Sequence, residues 1–275
     1  MAISTTDPSA VSALKEQHRA TWADGDYPAV AQHIADVPPA AILDAIDVDG
    51  KDLLDVATGS GNLALAAARE GARASGLDLV EELLAVARAR ADADGLSIPF
   101  TQGDAEALPY ADDSFDVVTS IFGVQFAPRA EVIASELRRV CRPDGHIALV
   151  NWTKDGLIGR LFQVMGRYMP APPAFVTPPA RWGDEAFLRE LFAGDDVTIT
   201  RRTNPFVFPS VEAYMTFFEE NYGPTKRAKA KLQAEGRWDD LRADLRALYT
   251  ELNVATDGSL HIDAEFFLVV ISQER

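Results

Sequence analysis

The sequence has little of what builds disulfide-bonded, metal-binding or membrane-spanning proteins. Cys141 is its single cysteine, so no intrachain disulfide can form, and no paired Cys/His spacing suggests zinc. The longest apolar run near the end, FFLVVI, is far too short to cross a bilayer. Residues 1–10 lack a basic stretch followed by an apolar core, so no secretory signal is expected. We therefore predict a cytoplasmic protein without a metal site, in which Cys141 is a buried structural thiol.

Basic residues are also scarce. The 26 Lys and Arg stand against 42 Asp and Glu, which gives a formal net charge of −16 at pH 7. Such a surface repels phosphate backbones and anionic lipid heads, which argues against nucleic acid and membrane partners. A chain of 275 residues with 47% hydrophobic content is typical of a globular protein of one large domain, or of a domain plus a cap. The expected partner is a small molecule, and the oligomeric state is left open.

Strand and helix patterns alternate between residues 52 and 152. Nearly continuous apolar strands separated by helical runs, such as 80–93 and 129–140, indicate a parallel sheet covered on both faces. Helices are expected over 9–23 and 26–46, with a bend near Pro38-Pro39. Later helices are expected over 156–170 and 184–193, and a long helical stretch starts at Ser210. The predicted strands are DLLDVA, ARASGLDL, IPFTQGD, FDVVTSIF, HIALVNW, VTITRRTNPFVF and AEFFLVVIS.

The turn in LLDVATGSGNLALAAARE, residues 53–70, is the first functional signal. Residues 59–64 match the dinucleotide fingerprint G-x-G-x-x-G/A, which alone is a weak indication of a dehydrogenase. Asp55 precedes the first glycine by four positions, so its carboxylate would place negative charge beside a pyrophosphate. The same carboxylate suits a cationic ligand. The pattern around Asp55 therefore favours a cation over a dinucleotide at this turn.

Four motifs together resemble the class I S-adenosylmethionine-dependent methyltransferases, in particular the ubiquinone/menaquinone-biosynthesis type. They cover residues 50–152 in the order that this family has. They are Asp55-x-x-x-Gly59-x-Gly61, Asp78 at the end of the second strand, Gly103-Asp104-Ala105 followed by SFDVV, and ELRRVCRPDGHIAL with Pro143-Asp144-Gly145 as its turn. The resemblance implies an α/β fold: a Rossmann-like, seven-stranded, mostly parallel sheet with an antiparallel last strand, plus N-terminal helices and a helical lid.

S-adenosylmethionine is the cofactor that this resemblance implies. Gly59, Ser60 and Gly61 would supply backbone contacts to its methionine portion, beside Asp55. Asp78 would bind both ribose hydroxyls.

Further cofactor contacts are implied at the adenine end and at the methyl group. Leu79 would pack beside the ribose. Asp104 would accept from the adenine amino group, while Ala105 supplies a backbone donor. Ser120 and Ile121 would lie near the methionine ammonium and the transferring methyl.

The resemblance also divides the chain into a core and two caps. Residues 1–47 form an N-terminal helical lid, in which Trp22 and Tyr27 either close over the cofactor or simply pack. Residues 48–209 and 258–275 form the methyltransferase core, and 210–257 are a helical insertion expected to be the substrate lid. The insertion is rich in aromatic residues, which favours a medium-sized, partly apolar acceptor shielded from water. The predicted substrate contacts are Gln125, Phe218 and Tyr222.

No catalytic residue can be assigned from the sequence. Methyl transfer from a sulfonium can proceed mainly by positioning and desolvation, and a base is needed only if the acceptor must lose a proton. Gln125, Asn151 and His18 are candidates near the expected edge, whereas His146 is expected to be structural. The acceptor atom, whether C, O or N, is open. Two alternatives also remain, namely an NAD(P)-dependent oxidoreductase and a non-catalytic S-adenosylmethionine-binding or sensor protein.

Overall fold

The structure, a computed structural model, describes residues 7–273 of the chain. Residues 1–6 of the predicted N-terminal lid and residues 274–275 of the predicted core lie outside the described residues. Residues 1–6 are also most of the stretch that was used to argue against a signal sequence. The strands of the described part are β1 (Asp52–Val56), β2 (Arg73–Asp78), β3 (Phe100–Gln102), β4 (Phe115–Ile121), β5 (Cys141–Trp152), β6 (Asp196–Phe208) and β7 (Leu260–Ser272).

Helices precede, connect and follow these strands. Short 3-10 helices also occur at Val124–Phe126 and Pro179–Gly183. The α-helices are α1 (Pro8–Trp22), α2 (Tyr27–Gln32), α3 (Val37–Leu43), α4 (Asn62–Arg69), α5 (Glu81–Ala93), α6 (Ala130–Val140), α7 (Leu157–Gly166), α8 (Glu185–Leu191), α9 (Val211–Asn221), α10 (Gly223–Ala234) and α11 (Trp238–Leu252).

The strands form one seven-stranded sheet in the order β3-β2-β1-β4-β5-β7-β6. The first five strands along the chain pair in parallel, whereas β7 runs antiparallel to both of its neighbours, β5 and β6. The predicted Rossmann-like α/β fold, mostly parallel with an antiparallel last strand, is therefore confirmed. Since parallel strands end at the same edge of a sheet, the carboxyl ends of β1, β2 and β4 lie together, where ligands bind in open α/β folds.

Apolar cores lie on both faces of the sheet. Leu53 and Leu54, adjacent on β1, are both fully buried and point to opposite faces, because side chains alternate along a strand. Leu53 belongs to the core to which α11 contributes, and Leu54 to the core to which α6 contributes. Burial of one such leucine side chain stabilises the fold by roughly 1.5–3 kcal/mol. The continuous apolar strands predicted for a doubly covered sheet are confirmed.

The turn predicted at Pro143-Asp144-Gly145 is wrong, because these residues belong to β5. This strand begins at Cys141, directly after α6. Phe115 of β4 pairs with Cys141 of β5, and the next pair is Val117 with His146. The two pairs are close together along β4 but farther apart along β5, so β5 contains extra residues between them. Such an irregularity is a bulge, and it accommodates the proline and the glycine inside the strand.

The N-terminal helices break before the two prolines and not at them. α2 ends at Gln32 and α3 begins at Val37. Pro38 and Pro39 therefore lie in the first turn of α3, where the missing proline N–H groups leave no hydrogen bond unmade. The bend that the sequence predicted near Pro38-Pro39 is displaced toward the N-terminus for this reason.

The segment between β6 and β7 is helical, and it packs on the N-terminal helices. Gly223, the first residue of α10, lies so close to α1 that a Cβ atom there would overlap the carbonyl oxygen of Thr21. Glycine permits this approach because it has no side chain. Nearby, Arg227 donates to the carbonyl oxygen of Ala20 at 2.9 Å. The N-terminal helices and the helical insertion are therefore in direct contact.

Within residues 7–273, none of the helices combines the length and the apolar character that crossing a bilayer requires. The same residues hold no cluster of three or more His, Cys, Asp or Glu side chains arranged for a metal ion. Cys141 is fully buried in an apolar cluster at the start of β5, as predicted for a structural thiol.

Candidate active site

A tight turn joins β1 to α4 at the carboxyl edge of the sheet. Gly59 and Gly61 have positive φ angles of 56° and 84°, a region that residues with a side chain rarely adopt. At Gly61 a Cβ atom would also lie 2.6 Å from Cδ1 of Leu65. Gly61 is the N-cap of α4, so glycine is required at the point where the chain enters the helix. The strand–turn–helix predicted from the sequence is confirmed.

Several peptide groups of this turn have partners inside the protein. Gly59 donates its N–H to Oδ2 of Asp78 at 2.8 Å, and Gly61 donates to a backbone carbonyl at 2.9 Å. The carbonyl oxygen of Ser60 accepts from Arg90 at 2.6 Å. A ligand at this turn would therefore have to contact backbone groups that have no partner inside the protein. Alternatively, the Gly59 N–H, the Gly61 N–H or the Ser60 carbonyl would have to give up its present partner.

Asp55, on β1, is almost completely buried beneath the turn. Its carboxylate accepts from the hydroxyls of Thr58 at 2.6 Å and Thr119 at 3.2 Å. Burial raises the pKa of Asp55 to about 7, because the lost hydration of the charged form outweighs these hydrogen bonds. Asp55 and Ser60 line a cavity at the turn, called here the turn cavity. A cation bound in it would stabilise the ionised carboxylate.

Asp78, at the end of β2, is the second buried carboxylate of this edge. It accepts from the N–H groups of Gly59 at 2.8 Å and Val80 at 2.9 Å. Burial raises its pKa to about 6 in spite of these two bonds. A carboxylate offers about four lone-pair sites, so Asp78 can accept further hydrogen bonds from a ligand.

A cavity, called here the β2 cavity, opens beside Asp78. It extends from the end of β2 toward the loop after β3, under α1 and α2. The structure brings most of the predicted cofactor residues to its wall. Those that line it are Trp22, Tyr27, Gly59, Asp78, Leu79, Asp104, Ala105 and Ile121.

Asp104 already has a cationic partner in this cavity. Lys15 of α1 places its Nζ atom 2.6 Å from Oδ2 of Asp104 and 2.5 Å from Oε2 of Glu106. The side chain of Glu106 is fully buried and also pairs with Arg129. The acceptor role predicted for Asp104 toward an adenine amino group therefore competes with Lys15. The sequence did not single out Lys15, although Lys15, His18 and Trp22 follow the spacing of one helix face.

A third cavity is lined mainly by aromatic side chains and is called here the aromatic cavity. Phe218 and Tyr222 of the helical insertion, for which the sequence predicts substrate contacts, line this cavity. Sequence reasoning did not assign its other aromatic residues to the site, because they come from segments far apart in the chain. These are Phe122, Phe126, Trp152, Phe206, Tyr214 and Tyr249.

Tyr27 and Trp22 lie where the cavities meet. Tyr27 lines all three cavities, and Trp22 lines the β2 cavity and the aromatic cavity. The Trp22 ring makes edge contacts with Tyr27, Phe126 and Tyr222 at centroid distances of 5.5, 4.8 and 5.6 Å. Phe122 also lines the β2 cavity and the aromatic cavity, in a positive-φ conformation that no sequence pattern marks. The β2 cavity and the aromatic cavity are therefore neighbours, and aromatic rings separate them.

Ser120 and Gln125 are not among the described residues that line these cavities. Both are fully buried. The Ser120 hydroxyl accepts from the N–H of Val124 at 3.2 Å, and Gln125 donates its side-chain amide to the carbonyl of Phe122 at 3.1 Å. These bonds hold the loop after β4, so the structure gives both side chains a place beneath the site and not in its wall.

The remaining candidates for a base are placed differently from one another. His18 lines the β2 cavity, where burial lowers its pKa against the opposing effect of Glu106. Asn151 is buried in β5 without a partner for its amide among the described residues, and it lines none of the three cavities. His146 pairs with Ser272 of β7 at 3.0 Å, which agrees with a structural role.

Residues 54–149 match the family described as a methyltransferase domain. A protein of Mycobacterium tuberculosis, described as uncharacterized, is 41% identical over 224 residues, which are 80% of this chain and 81% of the relative. A demethylmenaquinone methyltransferase of Thermus thermophilus is 37% identical over 124 residues, which are 44% of this chain and 56% of that enzyme. The chain belongs to the class I S-adenosylmethionine-dependent methyltransferases.

A solved structure shares the fold of this methyltransferase. A putative methyltransferase from Bacillus halodurans aligns with a TM-score of 0.61 at 21% identity, over 88% of this chain and 100% of that chain. The methyltransferase is an enzyme that uses S-adenosylmethionine, so the alternatives of a nicotinamide-dependent oxidoreductase and of a non-catalytic sensor are wrong. The buried carboxylates Asp55 and Asp78 fit a cofactor that carries two cationic groups and a ribose.

Proposed function

We propose that this methyltransferase acts on a small, partly apolar organic molecule that binds in the aromatic cavity. The observation that carries this proposal is the junction of the β2 cavity and the aromatic cavity, since Trp22, Tyr27, Phe122 and Phe126 line both. A donor in the β2 cavity and an acceptor in the aromatic cavity would meet at these rings. The apolar lining would exclude water from the point of transfer.

The cofactor would occupy the β2 cavity and the turn cavity. Asp78 would accept from the two ribose hydroxyls, and Leu79 would pack beside the ribose. Asp55, in the turn cavity, would offset the positive charge of the methionine end. Ile121 lines both cavities, which suits a place near the sulfonium.

The adenine end would lie by Asp104 and Ala105. Asp104 also pairs with Lys15, so the amino group of the ring would share this carboxylate with Lys15 or displace it. Glu106 would retain Lys15 in the second case, since its carboxylate already lies 2.5 Å from the same Nζ atom.

Positioning and desolvation would supply most of the rate enhancement. S-adenosylmethionine supplies an activated methyl group on a sulfonium, which has a good leaving group. The rings of Trp22, Tyr27 and Phe122 would hold the acceptor in line with that methyl group. Residues 1–47 and 210–257 would act as the two lids, and 48–209 with 258–275 as the core. A cytoplasmic location and the lack of a nucleic acid partner remain predictions from composition.

Cofactor titration and methyl transfer test this proposal together. We expect S-adenosylhomocysteine, and not NAD, to bind in isothermal titration. Asp78→Ala should weaken that binding on the order of tenfold or more, because charge-assisted hydrogen bonds are lost. Asp112→Ala, which removes an exposed carboxylate outside the cavities, should leave it unchanged.

A methyl-labelled donor and a panel of apolar and highly polar acceptors complete the test. Label on aromatic or aliphatic ring compounds supports the proposal. Transfer confined to highly polar acceptors, such as sugars or free amino acids, would contradict the proposed acceptor class. A folded Asp78→Ala variant with unchanged affinity would remove Asp78 from the site.

A further inference from the structure

The glycine turn between β1 and α4 needs support from other parts of the chain. Gly59 and Gly61 have no side chain, and glycine loses more conformational freedom on folding than any other residue. Gly61 is also the N-cap of α4, so no side chain caps the helix at this end. The turn can present its backbone to a ligand in fixed directions only if something holds it. Two polar side chains do so, Arg90 of α5 and Asn62 of α4.

Arg90 holds the turn from the side of α5. Its Nη1 atom donates to the carbonyl oxygen of Ser60 at 2.6 Å and to Oδ1 of Asn62 at 2.8 Å. Both of these acceptors are neutral oxygens. Asp94, whose charge acts on Arg90, pairs with Arg69 instead. The half-buried guanidinium therefore directs its hydrogen bonds at the turn.

The peptide group between Ser60 and Gly61 is held at both of its ends. The Ser60 carbonyl accepts from Arg90, and the Gly61 N–H donates to the carbonyl oxygen of Thr58 at 2.9 Å. Because a peptide group is planar, these two bonds together fix its orientation. Loss of the guanidinium would release one end and let the peptide rotate between two glycines.

Asn62 joins the same turn to α2. Its Nδ2 atom donates to the carbonyl oxygen of Ala31 at 2.9 Å, while its Oδ1 atom accepts from Arg90. A carboxamide can serve both partners because it carries donors and an acceptor. Ala31 and Asn62 both line the turn cavity, so α2 forms part of the wall of this cavity.

A second contact ties α2 to the turn. Tyr27 is the first residue of α2, and its ring packs on Gly59, where a Cβ atom would lie 3.4 Å from Cε1 of the tyrosine. The same ring lines the β2 cavity and the turn cavity. The position of α2 over these cavities therefore depends on the position of the turn.

We propose that Arg90 and Asn62 are positioning residues of the cofactor site, which hold the glycine turn and α2 in register with each other. This inference rests on the proposed placement of S-adenosylmethionine in the β2 cavity and the turn cavity. Arg90 sets the orientation of the peptide after Ser60, and Asn62 carries that position to α2. Closure of α2 over the cofactor is then coupled to the shape of the turn.

Isothermal titration with S-adenosylhomocysteine tests the role of Arg90. Arg90→Met keeps the apolar stem but removes the charge-assisted hydrogen bonds, so Kd should rise about tenfold. Arg88→Met is the matched control, because Arg88 lies on the same helix and donates instead to Glu81 and to the carbonyl oxygen of Phe100. An unchanged Kd in folded Arg90→Met, or an equal rise in both variants, would overturn the inference.

Arg90→Lys separates hydrogen bonding from packing. An ammonium group keeps a cationic donor near Ser60, so this variant should recover most of the affinity. A lysine variant that binds as weakly as the methionine variant would show that the loss comes from altered packing of α5, which contradicts the inference. Thermal unfolding identifies the folded variants, and Asn62→Ala keeps the inference testable if Arg90→Met does not fold.

Asn62→Ala tests the link to α2. In this variant, saturating S-adenosylhomocysteine should no longer slow amide hydrogen exchange in α2, whereas the protection of α1 should persist. Unchanged protection of α2 would remove Asn62 from the proposed role. The double variant of Asn62→Ala and Arg90→Met should bind about as weakly as the weaker single variant, since the two side chains act as one unit. Losses that add fully would contradict this coupling.

Asp78→Ala separates this inference from the proposed function. A weakened Asp78→Ala variant beside an unchanged Arg90→Met variant would overturn the inference alone. Unchanged affinity in both would overturn the placement of the cofactor, and the inference with it.

Discussion

At the scale of single residues, the site is built on two carboxylates that the apo protein holds at a cost. Burial raises the pKa of Asp55 to about 7 and that of Asp78 to about 6, from the usual value near 3.8. The folded state therefore favours the protonated forms. Their stabilising contribution is complete below the unfolded pKa and is lost as the pH rises through about 6 to 7.

The cofactor should reverse this dependence. A cationic ligand lowers the pKa of Asp55 and so releases protons when it binds between pH 6 and 7. We therefore expect the affinity for S-adenosylmethionine to rise across that interval and to level off above it. Titration calorimetry in buffers of different ionisation enthalpy measures the proton release directly.

Asp55→Asn provides the control for this linkage. The variant carries no titrating group at that position, so most of the proton release should disappear while Asp78 retains its part. Proton uptake by the unchanged protein, or a release that Asp55→Asn leaves intact, would contradict the assignment.

Sequence patterns located these carboxylates and the turn glycines because strand, turn and helix are local features. Lys15 could not be recognised in the same way, since its partners Asp104 and Glu106 lie far along the chain. Ser120 was placed in the site from its position at the end of β4. Only the structure shows that its hydroxyl turns into the loop toward Val124.

At the scale of elements, α9 presents different aromatic side chains to different neighbours. Phe218 lines the aromatic cavity, whereas the adjacent Phe217 packs against His33 and Phe208. The two residues offer a matched pair of substitutions within one helix. Apolar burial is similar for both, but only one reaches the proposed acceptor.

We expect Phe218→Ala to raise KM for the acceptor about tenfold while donor affinity stays within about twofold, and Phe217→Ala to change neither. Truncating a buried aromatic can cost roughly 3–5 kcal/mol of stability, so thermal unfolding must be measured first. Steady-state kinetics with donor and acceptor varied separately give both constants. Loss of donor binding in a folded Phe218→Ala variant would show that α9 is not part of a substrate lid.

Strand positions were well predicted because apolar continuity and turn residues report on backbone structure directly. The bulge in β5 was not predicted. Pro143 and Gly145 indicate that the regular strand is interrupted, but they do not show whether the strand ends there or continues. The cavities were also beyond sequence reasoning. Their walls combine α1, α2, β4 and the insertion. No local sequence pattern shows that these distant segments contact one another.

At the scale of the whole molecule, the N-terminal helices and the insertion close over the same edge. Trp22 contacts Tyr222 across them, and Gly223 lies against Thr21. Because Trp22 also lines the β2 cavity, a ligand there should restrain both caps.

We expect S-adenosylhomocysteine to slow amide hydrogen exchange about tenfold in α1 and α2 and also at the α9–α10 junction, although that junction does not line the β2 cavity. Exchange measured by mass spectrometry locates the protection. In Trp22→Ala, with ligand still bound at saturation, protection of the junction should vanish. Protection confined to α1 and α2 in the unaltered chain would show that the caps move independently.

The close approach of Gly223 to Thr21 has a consequence for how such enzymes diversify. A side chain at position 223 would overlap the backbone of Thr21, so a change here in the insertion requires the N-terminal segment to shift with it. A chimaera that inherits residues 210–257 from a relative should need the relative's residues 7–36 as well. Acceptor choice would then be inherited through two segments together, although they lie far apart in the sequence.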